Sequence, residues 1–290
     1  MRIVSENLTF TYSAATKVLA FRALDGVSLE IPDGSFFGII GKTGSGKSTF
    51  VQHLNGLIKV QKGCGSLFVG EYDLTDKKCD YGKLRAKAGM VFQYPEQQLF
   101  AETVFDDVAF ALKNFAPDLA EEQVKARVKD ALTRTGLDYD AVKDKSPFDL
   151  SGGQKRRVAI AGVIVAKPEI LILDEPAAGL DPKGKREFLQ LLVKLHKDFV
   201  RTVVIVSHDM NLVAEYCSRA AVFSGGKVVA VGTPKEIFSD KTVLAESGLD
   251  QPLVARLTER LKEKGVFVDN DFTADGFADA FCRLKSGGKR

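Results

Sequence analysis

Residues 41–49 read GKTGSGKST, an order of residue types suited to holding a row of phosphates. Gly41, Gly44 and Gly46 let backbone N–H groups turn inward toward phosphate oxygens, with Lys42, Thr43 and Ser45 completing the turn. Lys47 can reach the β- and γ-phosphates, and the hydroxyl of Ser48, beside Thr49, can ligate Mg²⁺. The run fits G-x-x-x-x-G-K-[ST]. It lies between the strand-like FFGII (36–40) and the helix-like KSTFVQHLNGL, the context in which that motif forms a P-loop. A glycine-rich turn without a ligand is the plain alternative, and the complete context disfavours it.

Two carboxylates close the run ILILDEP (170–176). In open α/β sheets ligands bind at the C-terminal edge of the strands. Asp174 is placed there to hold Mg²⁺, directly or through water, and Glu175 to activate a water against the γ-phosphate. The plain alternative is an acid pair facing solvent. His208 follows TVVIVS at another strand end and could sense the γ-phosphate, although a lone histidine there is more often structural. His53 and His196 fall on predicted helices and read as structural. Gln93 ends the short run GMVF; a glutamine can bridge metal and attacking water, but one glutamine says little. Tyr12 closes the first strand pattern and could stack on a base, while taken alone it reads as an ordinary aromatic. LSGGQ (150–154) places Ser151, Gly152, Gly153 and Gln154 at a helix start, a second anion-binding turn. The P-loop already encloses one nucleotide, so a second turn far along the chain suits a nucleotide held by another subunit.

These groups need a scaffold. The chain has 290 residues, 45% of them hydrophobic, which fits one large α/β domain with an appendage. Residues 3–35 alternate as strands, and FFGII, GMVFQ and EILILDEP are continuous apolar runs of strands buried on both faces. Helices are predicted from residue 47 to near Gly56, from Ser151 as N-cap to about Ala166, and over 183–199; AAVFSGGKVVAVG reads as a hairpin. Alternating strands and helices imply an α/β fold with a mostly parallel core sheet. An antiparallel β-subdomain precedes it. The expected division is an α/β core carrying the P-loop over 1–95 and 150–240, an inserted helical subdomain over 96–149, and a C-terminal helical extension over 241–290. In the insertion, Val124, Val128 and Leu132 recur at helical spacing. Net charge of +3 is too mild to suggest nucleic acid, and four scattered cysteines suggest reduced thiols rather than a metal site. The N-terminus does not read as a signal peptide, and the longest apolar run, VAIAGVIVA, is about half of what a membrane span needs. Work at a membrane would therefore require a partner.

Taken in order, GKTGSGKST, Gln93, LSGGQ, ILILDEP, AGLD and His208 resemble the ATPase subunit of ATP-binding cassette (ABC) transporters. The resemblance implies ATP and Mg²⁺ as ligands and a head-to-tail dimer with a second ABC ATPase, a copy or a paralogue. LSGGQ of each subunit would then close over ATP on the other's P-loop. It raises Tyr12, Gln93 and His208 to expected site residues, and makes Asp181 in AGLDP an expected cross-dimer contact. EPAAGLD stands where EPTSGLD or EPTAGLD is common, a departure that leaves the acids intact. FQYPEQQLFAETVFDDVAFALKN (92–114), LNGL and the two C-terminal amphipathic segments are similar to the energy-coupling factor (ECF) subgroup, and the extended start YSAATKVLAFRALDGVSL is similar to the second of its two paralogous ATPases. This implies uptake of a vitamin or metal ion and a transmembrane coupling protein. It also implies a substrate-binding membrane protein, and a peripheral position on the cytoplasmic membrane face. YPEQQLFAETVFDD (94–107) is then expected to form a groove for a helix of the coupling protein. Tyr94, Leu99, Phe100 and Phe105 would be its anchors, and Glu96, Glu102, Asp106 and Asp107 would pair with the helix's arginines. The plain alternative is a loop of core aromatics and solvated acids. A soluble ABC-type ATPase of DNA repair or translation is the competing reading, disfavoured because sustained heptads, cysteine pairs and a second cassette are missing. A GTPase lacks N-K-x-D here, and a non-enzymatic nucleotide-binding module is disfavoured by the intact Glu175 and LSGGQ.

Overall fold

The computed structural model describes residues 1–13 and 20–287. Residues 14–19 of the extended start and 288–290 of the C-terminal extension lie outside the described residues. Among the described residues, ten strands form two sheets. The first is antiparallel, in the order β2-β1-β4-β5, from β1 (Ile3–Ser13), β2 (Ala20–Ile31), β4 (Ser66–Val69) and β5 (Tyr72–Asp73). The second runs β10-β9-β3-β8-β7-β6, from β3 (Phe36–Ile40), β6 (Ala88–Val91), β7 (Ile170–Asp174), β8 (Thr202–Val206), β9 (Arg219–Ser224) and β10 (Lys227–Gly232). Its ladders are parallel except for the β9–β10 hairpin.

The continuous apolar runs are explained by burial on both faces, and the period of two sorts their side chains. Phe37, Ile39, Ile170, Ile172, Val204 and Val206 pack with the antiparallel sheet and with α1 (Lys47–Leu54). Phe36, Ile40, Leu171, Leu173, Val203 and Ile205 face the helical layer. That layer contains α3 (Val104–Phe115), α4 (Glu121–Arg134), α6 (Gly152–Ile164) and α7 (Pro182–Asp198). Val128 and Leu132 of α4 are buried in it, and Val124 packs against it.

The helix starts are written in side chains. The Thr103 hydroxyl accepts from Asp106 N at 3.1 Å at the start of α3. Ser151 and Gln154 form a reciprocal capping box on α6. Short helices that a repeat pattern does not reveal complete the fold: α2 (Tyr81–Lys87), α5 (Tyr139–Val142), α8 (Met210–Tyr216), α9 (Pro234–Ser239) and α10 (Lys241–Ser247). Leu244 of α10 joins the main core, whereas α11 (Leu253–Glu263) and α12 (Ala274–Gly287) leave Leu253, Leu257 and Phe281 exposed.

Candidate active site

The glycine turn of residues 41–49 is moulded by its neighbours. It leaves β3 at Gly41, whose φ of 151° brings the backbone so close to Phe223 that a Cβ would lie 2.3 Å from that residue's carbonyl oxygen. At Gly46, φ is 101°, and a Cβ would lie 2.4 Å from the Ala23 carbonyl. Only glycine fits either position. β2 is thus the back wall of the turn, and α1 starts at Lys47 immediately after it. Lys47 is buried, and its ammonium donates to the Gly41 and Lys42 carbonyls at 2.8 and 2.9 Å. Burial pushes its pKa down, opposed by Glu175 and Asp174. The Ser45 hydroxyl is buried without a hydrogen-bond partner among the described residues. Thr43 and Ser48 line the cavity in front of the turn; the Lys42 side chain instead lies against Gly248, at the end of α10.

The cavity, about 250 Å³, is lined by the turn, by Thr49, by Gln93, by Asp174 and Glu175, and by Phe21 and Ala23 of β2. The Ser48 hydroxyl donates to Asp174 Oδ1 at 3.1 Å, bringing together residues 126 apart in sequence. Burial raises the Asp174 pKa; the Ser48 hydrogen bond and Lys47 oppose this, and Glu175 adds to it. Glu175 takes a left-handed φ of 46°, unusual for a residue with a side chain. Its N–H still donates to Val206 O at 3.1 Å, continuing the β7–β8 ladder. His208 Nδ1 lies 3.1 Å from Glu175 Oε2. Gln93 and Glu175 also line an adjoining cavity with Ser207, His208, Asp209 and Lys185, in which Lys185 contacts the Asp209 carboxylate.

Tyr12 lies to the side. Its hydroxyl is 3.3 Å from the Thr49 hydroxyl, and its ring meets Phe10 edge-on at 4.8 Å. Its register partner on β2 is Phe21, 57% exposed and facing the cavity. His53, as expected of a structural residue, is fully buried against Phe10 and hydrogen-bonds to Thr49 O at 2.7 Å. Ser151, Gly152 and Gly153 are exposed, and they are not among the residues lining the cavity in front of the glycine turn. A Cβ at Gly152 or Gly153 would meet nothing within 4 Å. The subunit alone therefore gives no steric reason for glycine at a helix start. Asp181 caps α7, accepting from Gly184 N at 2.6 Å.

Three of the four acids of residues 94–107 require a correction. Glu96 does not face outward to a partner; it is held by the guanidinium of Arg156 at 3.2–3.3 Å. Asp107 is 8% exposed and accepts from Phe100 N and Ala101 N at 2.8 and 3.0 Å. Asp106 is engaged by Thr103 and Lys113. A buried carboxylate needs donors, and Asp107 finds them within the chain; the partly exposed Glu96 and Asp106 are paired there as well, whereas Glu102 is exposed. Leu99 belongs to the core and the partly buried Phe105 packs against it, while Tyr94 and Phe100 are exposed. Phe110 of α3, meeting Phe100 edge-on at 4.8 Å, extends the exposed aromatic surface.

Phe21 and Arg156 escaped the sequence reading. Phe21 carried only the weak signal of an aromatic opening a strand. Arg156 lies in the basic run KRR (155–157), the one internal basic cluster of the sequence, whose charge gives no sign of a buried and bonded guanidinium.

The family model described as ABC transporter matches residues 24–178. The chain is 48% identical over 276 residues to the energy-coupling factor transporter ATP-binding protein EcfA2 of Clostridium tetani, covering 95% of this chain and 94% of that protein. Among solved structures it is similar to cbiO1 from Clostridium perfringens, described as part of the ABC transporter complex cbiONQ. The TM-score is 0.72 at 40% identity, over 89% of this chain and 98% of that one. It is also similar to a dimeric post-hydrolysis state of the ATP-binding cassette MJ0796 bound to ADP and Pi. There the TM-score is 0.69 at 29% identity, over 80% and 98%. No helix among the described residues is long and apolar enough to cross a membrane. The chain therefore belongs to the ABC transporter family and, within it, to the ATP-binding proteins of energy-coupling factor transporters, as an ATPase whose hydrolysis is coupled to transport.

Proposed function

We propose that the P-loop cavity is one half of a composite ATP site, completed by a second cassette in a head-to-tail dimer. The glycine turn and Lys47 hold the β- and γ-phosphates. The donor set suits Mg²⁺: a serine hydroxyl 3.1 Å from a buried carboxylate whose charge burial disfavours gains from a cation. Ser48, Asp174 and Gln93 would hold it. Bound there, Mg²⁺ offsets negative charge on the β- and γ-phosphates. Glu175 takes the proton of the attacking water as the bond between the γ-phosphorus and the bridging oxygen breaks, giving ADP and phosphate. His208 orients the Glu175 carboxylate. Tyr12 and Phe21 offer rings to the base.

One observation carries the dimer: the open space beside Gly152 and Gly153. Glycine near a helix start is entropically costly, and a partner's γ-phosphate approaching the exposed N–H groups explains the choice. Asp181, at the exposed start of α7, belongs to the same interface. The relative bound to ADP and Pi is itself a dimer. The test mixes Lys47→Ala and Ser151→Arg forms of the chain, each inactive alone. Mixing is expected to restore ATPase activity, because one composite site then has two intact halves. Where the chain pairs with a copy of itself, no recovery refutes the cross-subunit site; where its mate is a paralogue, the same test places Lys47→Ala in one subunit and the signature-serine change in the other.

The same reading places the chain on the cytoplasmic membrane face, held by a transmembrane coupling protein that works with a substrate-binding membrane protein. The solute class, a vitamin or metal ion, rests on the subgroup resemblance. The divisions at 95/96, 149/150 and 240/241 are part of this proposal. With Glu96 and Asp107 internally engaged, Tyr94, Phe100 and Phe110 are the anchors for the coupling protein. Phe100→Ala should weaken co-purification of that protein and leave ATP affinity unchanged; undiminished co-purification overturns the docking surface.

A further inference from the structure

Arg156 has no part in the phosphate chemistry above, yet its side chain is only 6% exposed and its guanidinium is bonded on several sides. It stands on the second turn of α6, two residues past Gln154. Nε and Nη2 donate to the Glu96 carboxylate at 3.2–3.3 Å. Nη1 donates to Pro176 O at 3.0 Å, and Nη2 also donates to Ala178 O at 3.2 Å. The Phe188 ring of α7 lies alongside, 5.9 Å from the guanidinium carbon.

The partners come from three segments. Glu96 is in the 3₁₀ turn Pro95–Gln98, which follows Gln93. Pro176 and Ala178 belong to the loop between Glu175 and Asp181. Arg156 itself continues the LSGGQ helix. Each segment presents one group to the nucleotide or to its second cassette. A sparsely populated backbone conformation persists only where its surroundings over-determine it. Glu175, at φ 46°, is pinned on one side by Val206 O, and the next residue's carbonyl is pinned by Arg156. The planar guanidinium fixes the directions of its bonds; a lysine keeps the charge but cannot form the fork.

We infer that Arg156 is a positioning residue for ATP hydrolysis. It locks the Glu175 loop and the LSGGQ turn to the turn after Gln93, so that the three act as one unit. The inference rests on the roles proposed for Glu175 and Ser151.

The experiment measures kcat, KM for ATP, affinity for a fluorescent ATP analogue and Tm for Arg156→Lys, Glu96→Gln and the double variant, with Glu175→Gln alongside. Arg156→Lys is expected to lower kcat about tenfold, the equivalent of about 1.4 kcal/mol in barrier, with KM and affinity within about threefold of wild type. Glu96→Gln should lower kcat in the same sense. The double variant should be no slower than Arg156→Lys, because both changes remove one strut. Unchanged kcat with only Tm lowered makes the fork a structural brace and overturns the inference, and so do losses that multiply in the double variant. Where Arg156→Lys does not fold, Glu96→Gln, at a partly exposed carboxylate, decides. Turnover retained in Glu175→Gln overturns the site reading and the inference together. Turnover lost there, with kcat intact in Arg156→Lys, overturns the inference alone.

Discussion

Gly153→Ala should make the subunit more stable and the transporter slower. Gly153 lies in the first turn of α6 with ordinary negative φ, and its new methyl would meet no heavy atom within 4 Å. The folded subunit therefore incurs no clash. Alanine restricts the unfolded chain, which stabilises by about 0.4–1 kcal/mol where the native backbone tolerates it. In a domain of this size that raises Tm by roughly 1–3 °C. Helical Cα–Cβ bonds tilt toward the N-terminus, so the methyl projects into the space in front of the LSGGQ turn. A phosphate oxygen must come within about 2.9 Å of an N–H nitrogen to bond it, whereas a methyl carbon holds neighbours off at about 3.5 Å. ATP affinity of the isolated subunit should stay within about twofold of wild type, and ATPase activity of the assembled dimer should fall about tenfold or more. Thermal denaturation, equilibrium binding and steady-state hydrolysis read the three quantities separately. Unchanged hydrolysis refutes the partner-phosphate explanation of the glycines. A lowered Tm refutes the steric account of the subunit.

Glu175→Gln keeps the shape of the site and removes the proton acceptor; hydrolysis should fall by about 10²–10⁴ with nucleotide binding retained, as single-turnover kinetics will show. Burial raises the Asp174 pKa, and only the ionised carboxylate ligates Mg²⁺. Mg²⁺-dependent ATP affinity should therefore be intact above that raised value and lost as pH falls through it, beginning above the pH at which a solvent-exposed aspartate protonates. A titration of affinity against pH, flat in Asp174→Asn, checks the sign. Asp107→Ala strands the N–H groups of Phe100 and Ala101. At about 1–3 kcal/mol per unsatisfied group, a denaturant titration should show a lower midpoint with ATP affinity unchanged.

The parts of the site that were legible in the sequence are those in which one short segment specifies its own geometry. Residues 41–49 need their glycines for close backbone approaches, and Ser151 and Gln154 cap their own helix. The acids of ILILDEP sit at a strand end that its apolar run announces. What was illegible depends on pairs far apart in the chain. Glu96 and Arg156 are 60 residues apart, and nothing in YPEQQLFAETVFDD reveals that a buried arginine waits for one acid and two backbone N–H groups for another. Charges were therefore assigned to an absent partner when the fold itself used them. Phe21 was missed for a related reason: its place at the cavity depends on its pairing with Tyr12 across β1 and β2. Helices α2 and α8 were missed because seven residues are too few to display a helical period.

Gln93 and Glu175 stand in the wall between two adjoining cavities, one in front of the glycine turn and one bounded by His208, Asp209 and Lys185. A wall shared by two chambers makes their contents thermodynamically reciprocal. On the proposed reading, an occupant of the second chamber that shifts those two side chains and thereby alters ATP affinity does so by some factor. ATP must then change the affinity of that occupant by the same factor. On the same reading, any bias in direction between nucleotide and transporter comes from hydrolysis rather than from the wall, whose effect is equal both ways.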